Sequence, residues 1–598
     1  MAHFSRRRFL GVSAGLAATW GLSPQLMGRA LAAPETPADV PTTLLQTFRQ
    51  SSTPVTGQYR TLLAGPGETY TPRYDLIGKK ANNARVNQRR SLAYLGHMSD
   101  IHIIDPQSPA RLEPMQQMSP TLWQGAARPQ DTMTVQVQAQ MVAAMAAARY
   151  SPLTGSPMAA MFNTGDSADM ISQAELRWYV DIMDGKSVVP NTGIEGQYDG
   201  PQAWPEADYA YHPDDPSLDR FGPYGFPSIP GVLKAAISQS VESPGMPVPW
   251  YAVYGNHDAI YYGTFPIDAA LQSLAVGERK PAVLEALASN YFGGWASDPT
   301  VLGRLQHMIT TQFGNQPDMR SVASDPEREL FSQMGFMEAH FATETNPGPV
   351  GHGFTRENLE SGKTYWQADV GSHLRLFGLD TCNQVTGADG AVPQDQFEWL
   401  QDELAKARDL NKMAIVLSHH NSFTLENGAE SVTGPNQPLI HAEQFIDMLL
   451  QFPNMIAWCN GHTHINTINA HPRSDGTGGF WEITTASCID FPQQQQLVEI
   501  LDNKDGTISI FTTVLDHLSA ADWSAGDFSQ QGLASLSRQL SANDWVASPL
   551  KRLGSPLDRN TELLLPAPFD LSVINDADLA TEIAVRKARI VAYEEAQK

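Results

Sequence analysis

The feature of this 598-residue chain that most constrains its fold is a series of short apolar runs, each ending in polar residues. These runs predict buried strands at 91–99, 157–164, 249–254, 413–418 and 454–459. Helical periodicity at 134–150 and 172–183 falls between them. Strands that alternate with helices are typical of βα units, so the sequence predicts the α/β fold class. Further predicted strands at 480–487, 497–501 and 507–515 imply a second sheet.

A polar cluster follows each of the first five predicted strands. The clusters are Asp100-Ile101-His102, Gly165-Asp166, Gly255-Asn256-His257-Asp258, His419-His420 and Gly461-His462-Thr463-His464. Open α/β sheets bind their ligands at the carboxyl ends of the strands. We therefore expect these clusters to meet at one site.

The residue types in these clusters suit a pair of metal ions. Two metals about 3.5–4 Å apart need a bridging ligand, and a carboxylate such as Asp166, on a tight Gly-Asp turn, is the natural bridge. Asp100 and His102 are two positions apart, so an extended chain would point both side chains to one side. His462 and His464 repeat this spacing.

Asn256 and His419 complete a set of nitrogen and oxygen donors. The predicted metal ligands are Asp100, His102, Asp166, Asn256, His419, His462 and His464. Such a shell suits Fe, Mn or Zn and disfavours copper(I).

The clusters extend from Asp100 to His464, which favours one large domain with insertions over several separate domains. We predict an N-terminal extension at 33–90, a catalytic domain at 91–520 and a C-terminal helical extension at 521–598. The catalytic domain has one insertion near 185–247, rich in Pro, Gly and aromatic residues, and a second near 259–364 with more helical segments. Aromatic residues at 204–224 would either stack on a nucleobase or sugar, or pack on the surface.

The N-terminus reads Ser5-Arg6-Arg7-Arg8-Phe9-Leu10, followed by a weakly apolar stretch and the small-residue site Ala30-Leu31-Ala32. It resembles a twin-arginine signal peptide, so residues 1–32 are set apart from the fold. We expect the twin-arginine export machinery as a partner and an exported protein, periplasmic or extracellular.

Charge and composition exclude some classes of binding partner. The formal net charge of −24 disfavours nucleic acid and repels phosphate anions at long range, so a phosphorylated substrate would depend on local positive charge. No run of eighteen apolar residues predicts an integral membrane segment. Cys382, Cys459 and Cys488 lack the spacing of a zinc ribbon or disulfide framework and are interpreted as core thiols.

In this order, the clusters resemble the motifs of the calcineurin-like metallophosphoesterase superfamily, over roughly 91–515. The signal and insertions further resemble an exported bacterial branch of it. The resemblance implies a four-layer α/β/β/α sandwich. It also assigns Asp100, His102, Asp166 and His464 to one metal, and Asp166, Asn256, His419 and His462 to the other.

The resemblance also makes His257 the catalytic acid, with Asp169 orienting it. One departure concerns the isolated histidine, because the residues after His419 are His420-Asn421 rather than the family's usual aromatic or histidine followed by proline. Either His419 or His420 could be the ligand. His419 is preferred because it follows the predicted strand directly.

The function implied is a metal-dependent phosphoric ester hydrolase, a phosphatase or phosphodiesterase acting on a small phosphorylated substrate. A hydroxide bridging two divalent or trivalent metal ions would attack phosphate mono- or diesters, and His257 would protonate the leaving oxygen. The alternative is a non-catalytic exported binding module for a phosphorylated ligand. Such a module should lose ligands or the acid histidine, whereas this chain has candidates for all of them.

Overall fold

The computed structural model describes residues 40–78, 81–118, 120, 123–283, 319–343, 347–431 and 436–598. The predicted signal peptide, 1–32, lies outside the described residues. So does 284–318, within the second predicted insertion.

The strands are numbered in chain order. They are β1 Gln46–Gln50, β2 Leu62–Pro66, β3 Thr71–Arg73, β4 Arg90–Met98, β5 Ala160–Asn163, β6 Trp250–Ala252, β7 Arg279–Pro281, β8 Met319–Ser321, β9 Trp366–Asp369, β10 Leu374–Gly378, β11 Val392–Pro393, β12 Met413–Leu417, β13 Leu439–Ile440, β14 Met455–Asn460, β15 Thr467–Pro472, β16 Gly479–Thr484, β17 Gln494–Asp502, β18 Thr507–Asp516 and β19 Thr561–Pro566.

The α-helices are numbered in the same way. They are α1 Met115–Met118, α2 Thr134–Ala147, α3 Gln173–Asp184, α4 Val232–Ser238, α5 Asn256–Ala259, α6 Ala269–Ala275, α7 Gln333–Phe341, α8 Arg356–Ser361, α9 Gln394–Asp409, α10 Ala442–Leu449, α11 Gln530–Asn543 and α12 Asp576–Ala596. Short 3₁₀ segments lie at Asn83–Asn87, Asp131–Met133, Pro201–Ala203, Pro216–Leu218, Pro326–Arg328, Trp545–Ala547, Pro549–Leu553 and Leu571–Val573.

Within the described residues, seven strands form one large sheet in the order β3-β19-β18-β17-β4-β5-β6. Strands β4, β5 and β6 run parallel, so their carboxyl ends lie at the same edge. Strands β17 and β18 form an antiparallel hairpin. Its turn contains Lys504 and Gly506 with φ of 59° and 83°, the left-handed conformation that such turns need.

A second sheet has the order β15-β16-β14-β12-β10-β9 in the described part of the chain. Its four inner strands are parallel. Alternate side chains of these strands point to opposite faces. Leu376 and Ile415 enter the largest core, whereas Phe377 and Val416 enter a separate core with α9 and α10.

The largest core joins the two sheets, because it combines Leu95 and Val498 of the first with Leu376 and Ile415 of the second, and it also extends to α2. On the other face of the first sheet, the amide of Gln495 donates to the carbonyl oxygen of Met141 in α2. The layers are therefore helix, sheet, sheet and helix. The predicted α/β class and four-layer arrangement are confirmed.

The C-terminal region is not purely helical, contrary to the sequence prediction. The run Thr561-Glu562-Leu563-Leu564-Leu565 forms β19, which pairs with β18 and β3 inside the seven-stranded sheet. The run is too short for its periodicity to predict an element. It forms a strand because it pairs with β18, whose edge would otherwise be unpaired.

The aromatic residues of the first insertion pack into small cores. Trp204 and Tyr209 lie with Ala282 in one, and Tyr211 and Phe221 lie in another that includes side chains of α11. These four side chains are buried, so packing accounts for them.

No helix among the described residues combines the length and apolar character needed to cross a bilayer.

Candidate metal centre

The five predicted clusters converge where the two sheets meet. Three follow β4, β5 and β6 of the first sheet, and two follow β12 and β14 of the second. Groups of candidate ligand atoms lie within 4.8 Å of one another. The groups are His419, His420 and His462; Asp100, His102 and His464; His102, Asp166 and His257; and Asp100, Asp166 and His419.

Left-handed backbone turns bring the side chains together. Asp100 and His102 have φ of 52° and 48°, and Asp166, His462 and His464 have φ of 54°, 68° and 57°. The prediction that an extended chain aligns the paired ligands is therefore wrong. Non-glycine residues rarely adopt this region, and their concentration here is typical of functional sites.

Two glycines permit the close approach of these turns. A Cβ atom on Gly255 would overlap Asp166, and one on Gly461 would overlap Ser99 and Asp100. The backbone N–H of His462, next to Gly461, donates to both carboxylate oxygens of Asp100, at 3.2 and 3.1 Å. The absence of a side chain at Gly255 and Gly461 thus leaves room for the carboxylates of Asp166 and Asp100.

Asp100, His102 and His464 form the first group. Nε2 of His464 lies 3.2 Å from Oδ1 of Asp100 and 3.2 Å from Nε2 of His102. Nε2 of His102 is also 3.4 Å from Oδ2 of Asp166. Asp166 therefore borders this group.

The second group lies on the other side of Asp166. Nε2 of His419 is 3.1 Å from Oδ2 of Asp166 and 3.2 Å from Nδ1 of His462. Oδ1 of Asn256 lies 3.1 Å from the same Nδ1. The amide nitrogen of Asn256 donates to the carbonyl oxygen of Gly263 at 3.1 Å, which turns Oδ1 towards the group.

Hydrogen bonds behind the ligands fix the tautomers of three imidazoles. Nδ1 of His102 donates to Asp169 at 2.9 Å, that of His464 to Asp490 at 2.7 Å, and that of His419 to the carbonyl oxygen of Thr164 at 2.8 Å. Each Nε2 is then left with a lone pair directed into the centre. Such partners commonly orient metal-binding histidines.

This donor set fits metal ions. The unprotonated nitrogens of His102 and His464 face each other at 3.2 Å, which is unfavourable unless a cation or proton lies between them. A mixed imidazole, carboxylate and amide set suits divalent first-row metals. The described residues could therefore hold metal ions on both sides of Asp166.

The electrostatics of the centre also favour positive charge. Burial acts to raise the pKa of Asp166, but the imidazoles of His419 and His257 hold it well below its usual value. Burial would lower the pKa of His419, but the carboxylates of Asp166 and Asp100 raise it to about 9. The buried carboxylates thus attract a cation or, without one, a proton.

The structure directs His419, rather than His420, into the centre. Both ring nitrogens of His420 bond elsewhere, Nδ1 with the hydroxyl of Thr381 at 2.8 Å and Nε2 with the carbonyl oxygen of Ala388 at 2.8 Å. His420 packs behind His419 and His462. This arrangement leaves His419 as the candidate ligand.

Asp169 contacts His257, but not through the expected atoms. Nδ1 of His257 donates to the backbone carbonyl of Asp169 at 2.7 Å, whereas the carboxylate is 3.9 Å away. The carboxylate instead accepts from His102 and pairs with the buried Arg111. The side chain of Asp169 therefore supports a candidate ligand, and its main chain orients His257.

Asp258, the last residue of the Gly255-Asn256-His257-Asp258 cluster, connects two turns. Its carboxylate accepts backbone N–H groups of Ser167, Ala168 and Gly255 at 2.9–3.1 Å. The turn that carries Asp166 is thus locked to the turn that carries Asn256 and His257.

A cavity of about 180 Å³ opens over the centre. Its wall includes predicted site residues together with residues from segments that sequence reasoning missed. The lining is His102, Trp123, Gln124, Gly125, Ala126, Arg128, Asp166, Asn256, His257, Tyr262, Ala388, His462, Thr463, His464, Asp490 and Arg552. Asp490, Arg128 and Arg552 were missed because no local motif surrounds them; the one available signal was an acid shortly after a predicted strand, at Asp490.

Comparison with known proteins gives little further guidance. No protein-family model and no curated protein matches the chain. Among solved structures, the chain is similar to a dimetal phosphatase from Danio rerio at 9% identity and a TM-score of 0.32, covering 72% of this chain and 100% of that one. At this identity and TM-score the similarity assigns no chemistry to this chain.

Proposed function

We propose that this protein is a dinuclear-metal-dependent phosphoesterase that hydrolyses phosphate mono- or diesters. The observation that carries the proposal is the pair of ligand groups that share Asp166 beneath a cavity, with His257 at its wall. On this proposal Asp100, His102, Asp166 and His464 bind one metal. Asp166, Asn256, His419 and His462 bind the other.

Metal ions held there would lower the pKa of a bound water and neutralise charge on the phosphate oxygens. The protein's own contribution includes a proton donor. Nδ1 of His257 donates to the carbonyl oxygen of Asp169, so Nε2 of the protonated ring is the atom that can give a proton to the leaving oxygen. The His257 side chain is 19% exposed, as expected for a group that must reach substrate.

The supporting residues restrict movement of this donor. The backbone N–H of His257 donates to Oδ1 of Asp166 at 2.9 Å, which sets its distance from the shared carboxylate. Its ring also packs edge-on against His102, with centroids 4.7 Å apart. A fixed donor at the reacting centre is what general acid catalysis requires.

The experiment is hydrolysis of 4-nitrophenyl phosphate and bis(4-nitrophenyl) phosphate by metal-stripped protein reloaded with Mn, Zn or Fe. We expect metal-dependent release of nitrophenol from at least one ester. Release from neither ester, with metal bound, would instead support a non-catalytic binding module.

Two variants test the roles of individual residues. His257→Ala should lower kcat by roughly 10²–10⁴-fold while metal content stays normal, because it removes only the acid. Asp166→Asn should lose metal, measured by elemental analysis. His441→Ala, an exposed histidine outside the cavity lining, is the matched control and should change neither quantity. Full activity in both site variants would falsify the mechanism.

We further propose that the protein is exported by the twin-arginine route to the periplasm or the exterior. The N-terminal Ser5-Arg6-Arg7-Arg8-Phe9-Leu10 supports this. Replacing Arg6 and Arg7 with Lys should retain the protein in the cytoplasm, as measured by cell fractionation. Unchanged export would contradict the route.

A further inference from the structure

Two buried arginines from distant parts of the chain line the cavity beside the candidate metal centre. Arg128 lies before α2, and Arg552 lies in the 3₁₀ segment Pro549–Leu553. Their side chains are 6% and 8% exposed. A chain of net charge −24 thus places two positive charges in the wall of one cavity.

Asp490 holds both guanidinium groups in position. Its Oδ1 accepts from Nε of Arg128 at 2.9 Å, and its Oδ2 lies 3.2 Å from Nη1 of Arg552. The same Oδ2 accepts from Nδ1 of His464 at 2.7 Å. One carboxylate therefore links both arginines to a candidate metal ligand and sets their distance from the centre.

Each guanidinium keeps one nitrogen without a partner in the described protein. Nη1 of Arg128 donates to the carbonyl oxygen of Gly125 at 2.8 Å, and Nε of Arg552 donates to that of Ala547 at 3.2 Å. For the described residues, neither Nη2 makes a hydrogen bond. Neither Nη2 is among the fully buried unpaired atoms, so both remain accessible, and the oxygens of an anionic ligand in the cavity would give them partners.

We propose that Arg128 and Arg552 bind terminal oxygens of a phosphomonoester, so that this cavity prefers monoesters to diesters. The inference rests on the function proposed above and names its substrate class. A phosphomonoester carries roughly −1.5 to −2 charges at pH 7, whereas a diester carries one, so the monoester gains more from paired guanidinium groups. Their planar donors also match the geometry of phosphate oxygens.

The size of the cavity agrees with a substrate held by its terminal phosphate. Its volume of about 180 Å³ is below the range of roughly 300–1,000 Å³ found for drug-sized ligands. Trp123 and Tyr262 form another part of the wall, with ring centroids 5.9 Å apart. A diester would have to place its second organic substituent against the two charged side chains or this aromatic wall.

The test uses the full metal-loaded protein and the variants Arg128→Gln, Arg552→Gln, Arg128→Lys and Arg552→Lys. The kcat/KM values for 4-nitrophenyl phosphate and bis(4-nitrophenyl) phosphate are measured, with metal content. Calorimetric titration with inorganic phosphate gives a readout that does not depend on turnover. Arg177→Gln, which removes an exposed partner of Glu327 outside the cavity lining, is the matched control.

We expect the Gln variants to lose about tenfold or more in kcat/KM for the monoester, mainly through KM, since each loses charge-assisted hydrogen bonds. The diester value should change by less than about threefold. The Kd for inorganic phosphate should rise about tenfold or more, and the Lys variants should be intermediate because they keep the charge but not the planar donor. The control should match the wild type.

Equal losses for both esters, or an unchanged Kd for phosphate at normal metal content, would overturn the inference. If Arg128→Gln fails to fold, because it leaves Asp490 partly unpaired, Arg552→Gln and the Lys variants still decide the question. A wild-type protein that binds phosphate through these arginines but hydrolyses neither ester would refute the proposed function alone. Hydrolysis that none of the variants alters would refute this inference alone.

Discussion

The carboxylate of Asp169 connects the candidate ligand His102 to the buried guanidinium of Arg111. It accepts from Nδ1 of His102 at 2.9 Å and pairs with Arg111, which is fully buried. Asp169→Asn should therefore weaken metal binding by roughly 10–100-fold. It should also destabilise the fold by about 3–5 kcal/mol, because it leaves Arg111 short of a partner. Metal titration and urea unfolding measure the two effects.

Asp131→Asn is the control for this variant. Asp131 lies 3.0 Å from the same guanidinium of Arg111 but is not a partner of His102 in the structure. It should lower stability while metal affinity stays normal. Loss of metal in both variants, or in neither, would contradict the separate role of Asp169.

Individual site residues were predictable where a local pattern marks them. An apolar run predicts the strand that ends at Met98, and the Asp100-Ile101-His102 cluster follows it directly. Asn256 likewise follows the apolar run at 249–254. Asp490 and Arg552 were not predictable, because their partners are 26 and 62 residues away along the chain. Long-range contacts of this kind leave no periodic signal.

The turns that follow the strands should tolerate little added volume. A methyl group at Gly461 would overlap Ser99 and Asp100. We expect Gly461→Ala to destabilise the fold by about 1–3 kcal/mol and to reduce metal content, since Asp100 must move. Urea unfolding and elemental analysis measure these outcomes.

Gly428→Ala is the matched control, because the nearest atom to its added Cβ would be 3.9 Å away, on His441. It should change metal content and stability little. If Gly461→Ala behaved like Gly428→Ala, the close approach of the turns would not matter to the centre.

Long apolar strands and amphipathic helices were read correctly from the sequence, with boundaries that differ by a few residues. The predicted helix at 172–183 corresponds to Gln173–Asp184, and the strand at 413–418 to Met413–Leu417. The three-residue strand Thr71–Arg73 was not predicted, since so short a segment acquires its conformation only by pairing with β19.

The tail of the chain completes the seven-stranded sheet, in which β19 lies between β18 and β3. A chain that ends at residue 555 should aggregate, because β18 becomes an unpaired edge and buried Leu563 and Leu565 are lost. A chain that ends at residue 575 keeps β19 and should remain monodisperse or nearly so. Size-exclusion chromatography compares them. Equal behaviour would contradict a structural role for β19.

The buried carboxylates of Asp100 and Asp166, with the imidazoles of His464 and His419 beside them, link metal binding to the stability of the entire fold. A metal that binds only the native state at 100 times its Kd stabilises it by about 2.7 kcal/mol. Added Mn or Zn should therefore raise the Tm of metal-stripped protein, measured by scanning calorimetry. Asp166→Asn should show little of this rise, and an equal rise would place the bound metal elsewhere.

Arg552 comes from the last tenth of the chain, yet it borders the same cavity as His102. During translation, candidate ligands such as His102 are therefore synthesised long before Arg552, which completes the cavity wall. The candidate metal ligands, which end at His464, are thus all synthesised before Arg552, and the proposed phosphate-binding wall is completed only by the last tenth of the chain. On the proposed function, selective capture of substrate would therefore require a nearly complete chain.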